Sequence, residues 1–316
     1  MSDVIATREA YGKALAELGN KYEFLVLDAD LAEATKTVIF KKAFPDRFFD
    51  VGIAESNMIS TAAGLAACGS VVFASSFAMF AAGRAFEQVR NSVCYPNLNV
   101  KICATHAGLS VGEDGATHQC LEDIGIMRTI PNITILCPVD AVETKAAIEL
   151  AIQKDGPFYV RLGRMGVPVI NDEKTYKFEL GKGVTLREGK DITIISSGSM
   201  VFEALKAAEV LKQEDNISVR VINIHTIKPI DKDIIIKAAT ETGAILTVDE
   251  HNIMGGLGSV VSEVIVESYP VPMKIMGVND CFGQSGKPQQ LFEKFHLTCK
   301  DIVDNTKKLL NKKNKL

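Results

Sequence analysis

A glutamate set between an apolar strand and a long uncharged segment is the first residue that invites a chemical reading. Glu55 follows the run FFDVGIA and opens a segment, Ser56 to Gly83, that carries no charge. A carboxylate in such surroundings is partly desolvated, which raises its pKa and suits a group that exchanges protons. The same position, in the first turn of a helix, also fits a plain cap that meets the helix dipole. A second gathering lies in HAGLSVGEDGATHQ (106–119), where His106, Glu113, Asp114 and His118 stand among turn glycines. Such turns let side chains converge on one small ligand for acid/base work on hydroxyls and carbonyls. A surface turn with incidental histidines is the plain alternative. The two histidines do not share a helical i, i+4 face, and no metal ligand set is assigned.

The elements that position these groups follow from the hydrophobic pattern. A charged amphipathic helix over 7–19 leads to the apolar run FLVLDAD (24–30), and a helical pattern over 35–44 ends before Pro45. Then come FFDVG, a helix opening near Glu55, VVFASS, a helix around Phe86 to Val93, VKICATH, the polar loop, ITILCP, a helix from Asp140 to Gln153, and FYVRL. Short apolar runs alternating with helices predict a parallel sheet covered on both faces. Ligands in such folds sit beyond the carboxyl ends of strands. Asp28 and Asp30, Glu55, Phe77 and Phe80, His106, and Arg161 with Arg164 all fall just after an apolar run.

The periodicity lapses over 166–187, where glycines and charges cluster, and a second alternation of strands and helices follows. The expected organisation is two parallel-sheet α/β domains, residues 1–165 and 188–316, joined by a linker over 166–187. GGLGS (255–259) and SGKP (285–288) lack the full nucleotide-phosphate patterns and read as close helix packing.

Composition narrows the function classes. The chain has 316 residues, with 35 basic against 39 acidic side chains and a net charge of −4, which leaves no broad basic face for nucleic acid. Its seven cysteines form no CxxC pair and its start has no apolar signal core, so a reducing cytoplasm is expected. The uncharged segment 56–83 is long enough to imitate a membrane span, but its Ala, Ser and Gly content and its break at Gly69-Ser70 predict a buried helix and then a buried strand, packed on all sides. The lysine-rich end, Lys307 to Lys315, reads as a frayed, solvated tail.

Three stretches taken in order, DVGIAESNM (50–58), SSFAMFAAG (75–83) and THAGLSVGEDGATHQ (105–119), resemble the pyrimidine-binding half of a transketolase. The resemblance continues through LCPVD (136–140), YVRLGR (159–164) and DITIISSGSM (191–200) to the end of the chain. It implies thiamine diphosphate chemistry on a pyrimidine-binding domain followed by the family's C-terminal domain. Glu55 then matches the glutamate that hydrogen-bonds N1′ of the aminopyrimidine and favours its imino tautomer, so that the thiazolium carbon can lose its proton. Phe80 matches the ring that stacks on the pyrimidine, and Phe77 lines the same pocket. His106 and His118 resemble the histidines facing the sugar's hydroxyls and carbonyl, and Asp114 the aspartate that reads the donor's C2 hydroxyl. Arg8 and Arg164 match arginines that clamp the sugar phosphate.

Two departures from the family pattern matter. Ala34 stands where many relatives place a phosphate-binding serine, which leaves Thr35 as a candidate substitute. The GDG motif of the diphosphate-binding domain, with its following Asn, has no counterpart. The resemblance therefore implies a C-terminal subunit of a split transketolase. It would act on sugar phosphates with a separate N-terminal subunit holding the diphosphate and Mg2+, as an α2β2 heterotetramer. The β subunit of a 2-oxoacid dehydrogenase is a near alternative, and a noncatalytic assembly subunit is one from another class. His225, Asp249, Glu250 and His251, after strands in the second half, are expected to serve packing and interfaces.

Overall fold

The computed structural model describes residues 3–315. Its larger sheet has seven strands in the order Thr226–Lys228, Thr134–Leu136, Phe158–Arg161, Val100–Thr105, Val72–Phe77, Leu25–Asp28, Phe48–Asp50. Six of them run parallel, and the antiparallel edge strand Thr226–Lys228 arrives from the second half of the chain. The five-stranded sheet has the order Met273–Val278, Ile245–Asn252, Ile192–Ser196, Val219–Asn223, Val184–Arg187, again with one antiparallel edge, Val184–Arg187. Helices cover both sheets, as the alternation of runs and helices predicts.

Register places the chemistry-bearing ends together. In the larger sheet Asp28 pairs with Ser75, Ser75 with Cys103, and Phe77 with Thr105, so Phe77 and His106 leave neighbouring strands at one level. A separate two-stranded clamp pairs Val4–Ala6 with Gly166–Pro168. The Thr7 hydroxyl then accepts from the Gly163 amide at 2.7 Å, and the Arg8 amide donates to the Gly163 carbonyl at 3.3 Å. These bonds bring Arg8 and Arg164, 156 residues apart in sequence, to one edge of the site.

Local chemistry explains most element boundaries. Helix Thr7–Leu18 buries Thr7, Ala10, Tyr11, Ala14, Leu15 and Leu18, one stripe at helical spacing. Helix Ala141–Gln153 starts where the Asp140 carboxylate accepts from the Glu143 amide at 2.9 Å. Near GGLGS, a Cβ at Gly258 would lie 2.4 Å from Ile275, the close helix–strand approach expected of that motif.

Four expectations are corrected. The helical pattern over 35–44 is two short helices, Ala32–Thr35 and Val38–Ala43, parted at Lys36, whose φ is +70°. The cause is Asp28, whose carboxylate accepts from the Thr35 and Thr37 hydroxyls at 2.7 and 2.8 Å and bends the chain around itself. The helix expected around Phe86 to Val93 is longer, with helical turns running from Met79 to Cys94 and π-type stretches at Met79–Arg84 and Val89–Cys94. The segment 56–83 is a helix, Glu55–Ala67, and a buried strand, but it is not packed on all sides: Asn57, Ser60, Thr61, Gly64 and Ala67 form an exposed, uncharged face. Among the described residues no helix is long and apolar enough to cross a membrane.

The lysine-rich end is not a frayed tail. As far as Lys313 it belongs to helix Cys299–Lys313, which buries Ile302, Val303, Thr306 and Leu309. Its lysines are partly engaged: Lys313 donates to the carbonyls of Asp191 and Thr242, each at 2.8 Å, and Lys307 pairs with Asp215 at 2.5 Å. All seven cysteines are free thiols.

Candidate active site

Five side chains from four elements form a continuous stack. The His106 ring lies against Phe77, centroids 3.7 Å apart and 24° from parallel, and Phe77 lies beside Phe80 at 5.9 Å and 12°. His118 meets both phenylalanines edge-on, at 6.1 and 5.4 Å. The Arg84 guanidinium covers Phe80 at 4.8 Å and donates to Glu55 Oε2 at 2.6 Å. Glu55, in the first turn of its helix, is 1% exposed. The expected desolvated carboxylate is thus present, and it holds an ion pair.

His106 is fixed in an unusual backbone state, φ +56°, at the end of strand Val100–Thr105. Its Nδ1 is 2.9 Å from the Thr105 hydroxyl and its Nε2 is 3.3 Å from Arg8 Nη1. A guanidinium only donates, so Nε2 is the acceptor and the ring proton is assigned to Nδ1. Burial drives the His106 pKa down to about 3, helped by the charges of Arg8 and Arg164, so this imidazole is neutral at physiological pH.

The arginines are held by loops. Arg8 Nη1 donates to the Ala34 carbonyl at 2.8 Å. Burial and the charge of Arg164 lower the Arg8 pKa, and the nearby Asp114 carboxylate opposes them. Arg164 Nη1 donates to the Val111 carbonyl and to Glu113 at 2.9 Å. Thr35 does not present its hydroxyl in place of the missing serine: it is fully buried and bonded to Asp28 and Thr37. Burial in turn lifts the Asp28 carboxyl to about 6.

Comparison with known proteins gives the family. The family model for the transketolase pyrimidine-binding domain matches residues 3–169, and that for the transketolase C-terminal domain matches residues 181–302. The chain belongs to the transketolase family. A Methanocaldococcus jannaschii protein named for the C-terminal section of a transketolase is 51% identical over 300 residues, covering 94% of this chain and 93% of that protein. The 6-deoxy-6-sulfo-D-fructose transketolase subunit of a Clostridium species is 43% identical, covering 97% and 95%. A solved split-gene transketolase, described as an inactive β4 tetramer, superposes with a TM-score of 0.91 at 51% identity, covering 97% of this chain and 99% of that one.

In this transketolase chain the loop carrying His106 and His118 is held by the second half of the molecule. Glu250 accepts from the Ser110 amide at 2.7 Å and from the Ser199 hydroxyl. Gly108, at φ +81°, has to lack a side chain, because a Cβ there would lie 2.5 Å from the Glu250 carboxylate. Gln119 donates to the carbonyls of Leu109, Gly112 and Gln284, and so ties the loop to residues 283–286. Arg161 lies beneath, bonded through Nε to Asp123 at 2.9 Å and 3.7 Å from Asp249. Burial pushes the Asp249 and Glu250 carboxyls up, and Arg161 opposes it. The packing role expected of Glu250 is therefore concrete, since it braces the site loop from the other domain, while Asp249 is buried beside Arg161.

The eight residues to which the resemblance gives site roles, Arg8, Glu55, Phe77, Phe80, His106, Asp114, His118 and Arg164, fall within one neighbourhood. Sequence reasoning missed Arg84. The available signal was its place as the first charge after the uncharged run, four residues beyond Phe80 on helical turns. Among the described residues no group of three or more His, Cys, Asp or Glu side chains could hold a metal ion.

Proposed function

We propose that this chain is the C-terminal subunit of a split transketolase, which transfers a two-carbon ketol unit from a ketose phosphate to an aldose phosphate with thiamine diphosphate. The observation that carries the reading is Glu55, a fully buried carboxylate tied through Arg84 to the Phe77–Phe80 shelf, with His106 stacked on Phe77 and His118 edge-on to both rings. The pocket accommodates a planar N–H donor: the Arg84 guanidinium stacks over Phe80 while donating to Glu55. An aminopyrimidine asks for the same two contacts, so the residues fit the cofactor's pyrimidine end.

Bound there, the cofactor supplies the nucleophilic carbon that breaks and remakes the sugar's carbon–carbon bond. Glu55 accepts from the protonated pyrimidine nitrogen and so sets the tautomer of the ring. Phe77 and Phe80 exclude water from its faces. His106, kept neutral with its proton on Nδ1, offers Nε2 to a sugar hydroxyl once Arg8 turns to the phosphate, and His118 faces the carbonyl. Asp114 reads the C2 hydroxyl, and Arg8 with Arg164 clamps the phosphate end.

The diphosphate and Mg2+ are assigned to a separate N-terminal subunit, with the assembly an α2β2 particle working in the reducing cytoplasm. The uncharged face of helix Glu55–Ala67 (Asn57, Ser60, Thr61, Gly64, Ala67) suits such an interface. Binding of thiamine diphosphate with Mg2+, measured by calorimetry on the chain alone and then mixed with a candidate N-terminal subunit, tests the reading. Tight binding only in the mixture is expected. Tight binding by the chain alone would overturn the two-subunit assignment.

A further inference from the structure

One cation in the loop that holds Arg8 has no part in that mechanism. Lys36 occupies the left-handed position, φ +70°, between Thr35 and Thr37, whose hydroxyls are both spent on Asp28. Its backbone is seated on helix Thr7–Leu18: a Cβ at Gly12 would fall 2.3 Å from the Lys36 carbonyl oxygen and 2.7 Å from its Cβ. Gly12 lies one helical turn beyond Arg8, so Lys36 sits over the face that carries Arg8. Two residues earlier, the Ala34 carbonyl accepts from Arg8. The loop is thereby pinned from below by Asp28 and from the side by Arg8 and Gly12.

The Lys36 ammonium has no hydrogen bond or ion pair among the described residues. Glu9, which feels its charge, is already paired with Lys13 at 2.7 Å. The charges of Lys36, Arg8 and Arg164 all bear on His106. Arg8 Nε is buried without a partner, whereas Arg164 is part-neutralised by Glu113. An unpaired ammonium is thus carried two residues from the carbonyl that holds Arg8, on a loop that offers a methyl group at Ala34 and no hydroxyl at Thr35.

We infer that Lys36 completes, with Arg8 and Arg164, a cationic seat for the dianionic phosphate of the sugar, replacing by charge the hydroxyl that the loop lacks. The inference rests on the transketolase reading above and adds a specificity-determining residue to it. A seat built on charge favours the dianion over a monoanion, loses affinity as salt rises, and weakens below about pH 6, where a phosphate monoester takes up its second proton.

The test uses the complex reconstituted with a candidate N-terminal subunit, with hydroxypyruvate as donor so that only the acceptor carries phosphate. Ribose 5-phosphate and ribose are compared for the wild type, Lys36→Met and Lys36→Arg, with melting curves confirming that each folds. Lys36→Met is expected to raise KM for ribose 5-phosphate about tenfold, the usual worth of a charge-assisted contact, at nearly unchanged kcat and with a shallower salt dependence. Ribose should be used equally well by all three, and Lys36→Arg should restore the lower KM. An unchanged KM for ribose 5-phosphate, or an equal loss on ribose, overturns the seat while the functional reading stands. A wild-type complex that transfers no ketol unit overturns both.

Discussion

Arg84 reaches the Glu55 carboxylate from the solvent side: Nη1 lies 2.6 Å from Oε2, with the arginine side chain 51% exposed and the glutamate 1%. The asymmetry decides what losing either partner does. Arg84→Met leaves a buried carboxylate without its counterion and is expected to lower stability by about 1–2 kcal/mol, less than a fully buried pair would lose because water still reaches the arginine. Glu55→Gln keeps the shape and removes the charge, so adding it to Arg84→Met should recover most of that loss. Urea unfolding of the four proteins gives the coupling directly, and strictly additive losses would contradict it.

The same carboxylate is expected to be indispensable to turnover. In the reconstituted complex Glu55→Gln should lower kcat at least about 10²-fold, the ordinary contribution of a group that moves or holds a proton, while the assembly keeps its mass by light scattering. An unchanged kcat would remove Glu55 from the mechanism.

His106 is expected to stay neutral, with its proton on Nδ1, from pH 8 down to pH 5 in nitrogen-detected NMR, because burial holds its pKa near about 3. An unfolded chain takes up that proton near the ordinary histidine value of about 6.5. Between those values the unfolded state binds more protons, so stability is lost as pH falls from 6.5 toward 3. His106→Asn should flatten that loss, and a ring that titrates near 6.5 in the folded protein would refute the account.

Why some of this was legible in the residues and some was not has physical reasons. Parallel strands end at one level, so a polar residue following an apolar run marks the site face, and Glu55, Phe77 and His106 could be picked out that way. Lys36 could not, because its left-handed turn depends on bonds from Thr35 and Thr37 to Asp28, which sequence proximity alone does not reveal. The last helix was hidden for another reason. Its stripe of Ile302, Val303, Thr306 and Leu309 is diluted by a lysine-rich solvent face, so the composition resembles a tail. The edge strands Thr226–Lys228 and Gly166–Pro168 are three residues each, too short for a period to emerge.

Arg161 is 4% exposed and is bonded to Asp123, with Asp249 at 3.7 Å. Arg161→Met strands both carboxylates inside the molecule and is expected to cost about 3–5 kcal/mol, far more than losing a surface pair. Acid should soften the effect, since burial already raises the Asp249 pKa and a protonated carboxyl needs no cation. The gap between wild type and variant in denaturant melts should therefore be wider at pH 8 than at pH 5. A gap that does not change with pH would mean that Asp249 keeps its charge without Arg161.

Lys101 offers the cleanest separation of stability from function. It is wholly buried at the start of strand Val100–Thr105, the end opposite His106, with its ammonium 2.7 Å from the carbonyls of Lys154 and Gly156 and 4.3 Å from the Phe158 ring centre. Burial lowers its pKa to about 7 from the ordinary 10.5. Between those values the unfolded chain carries a proton that the folded chain lacks, so this residue's contribution to stability rises with pH across that window and is lowest below it. Lys101→Met removes the titration, and wild type should gain on the variant as pH climbs from 7 to 10 in urea melts. Because the residue lies a full strand away from the site, kcat/KM should stay within about twofold of wild type, as for changes distant from the chemistry. A stability difference that holds constant from pH 7 to 10 would show that the lysine keeps its ordinary affinity for the proton and is solvated in the folded chain.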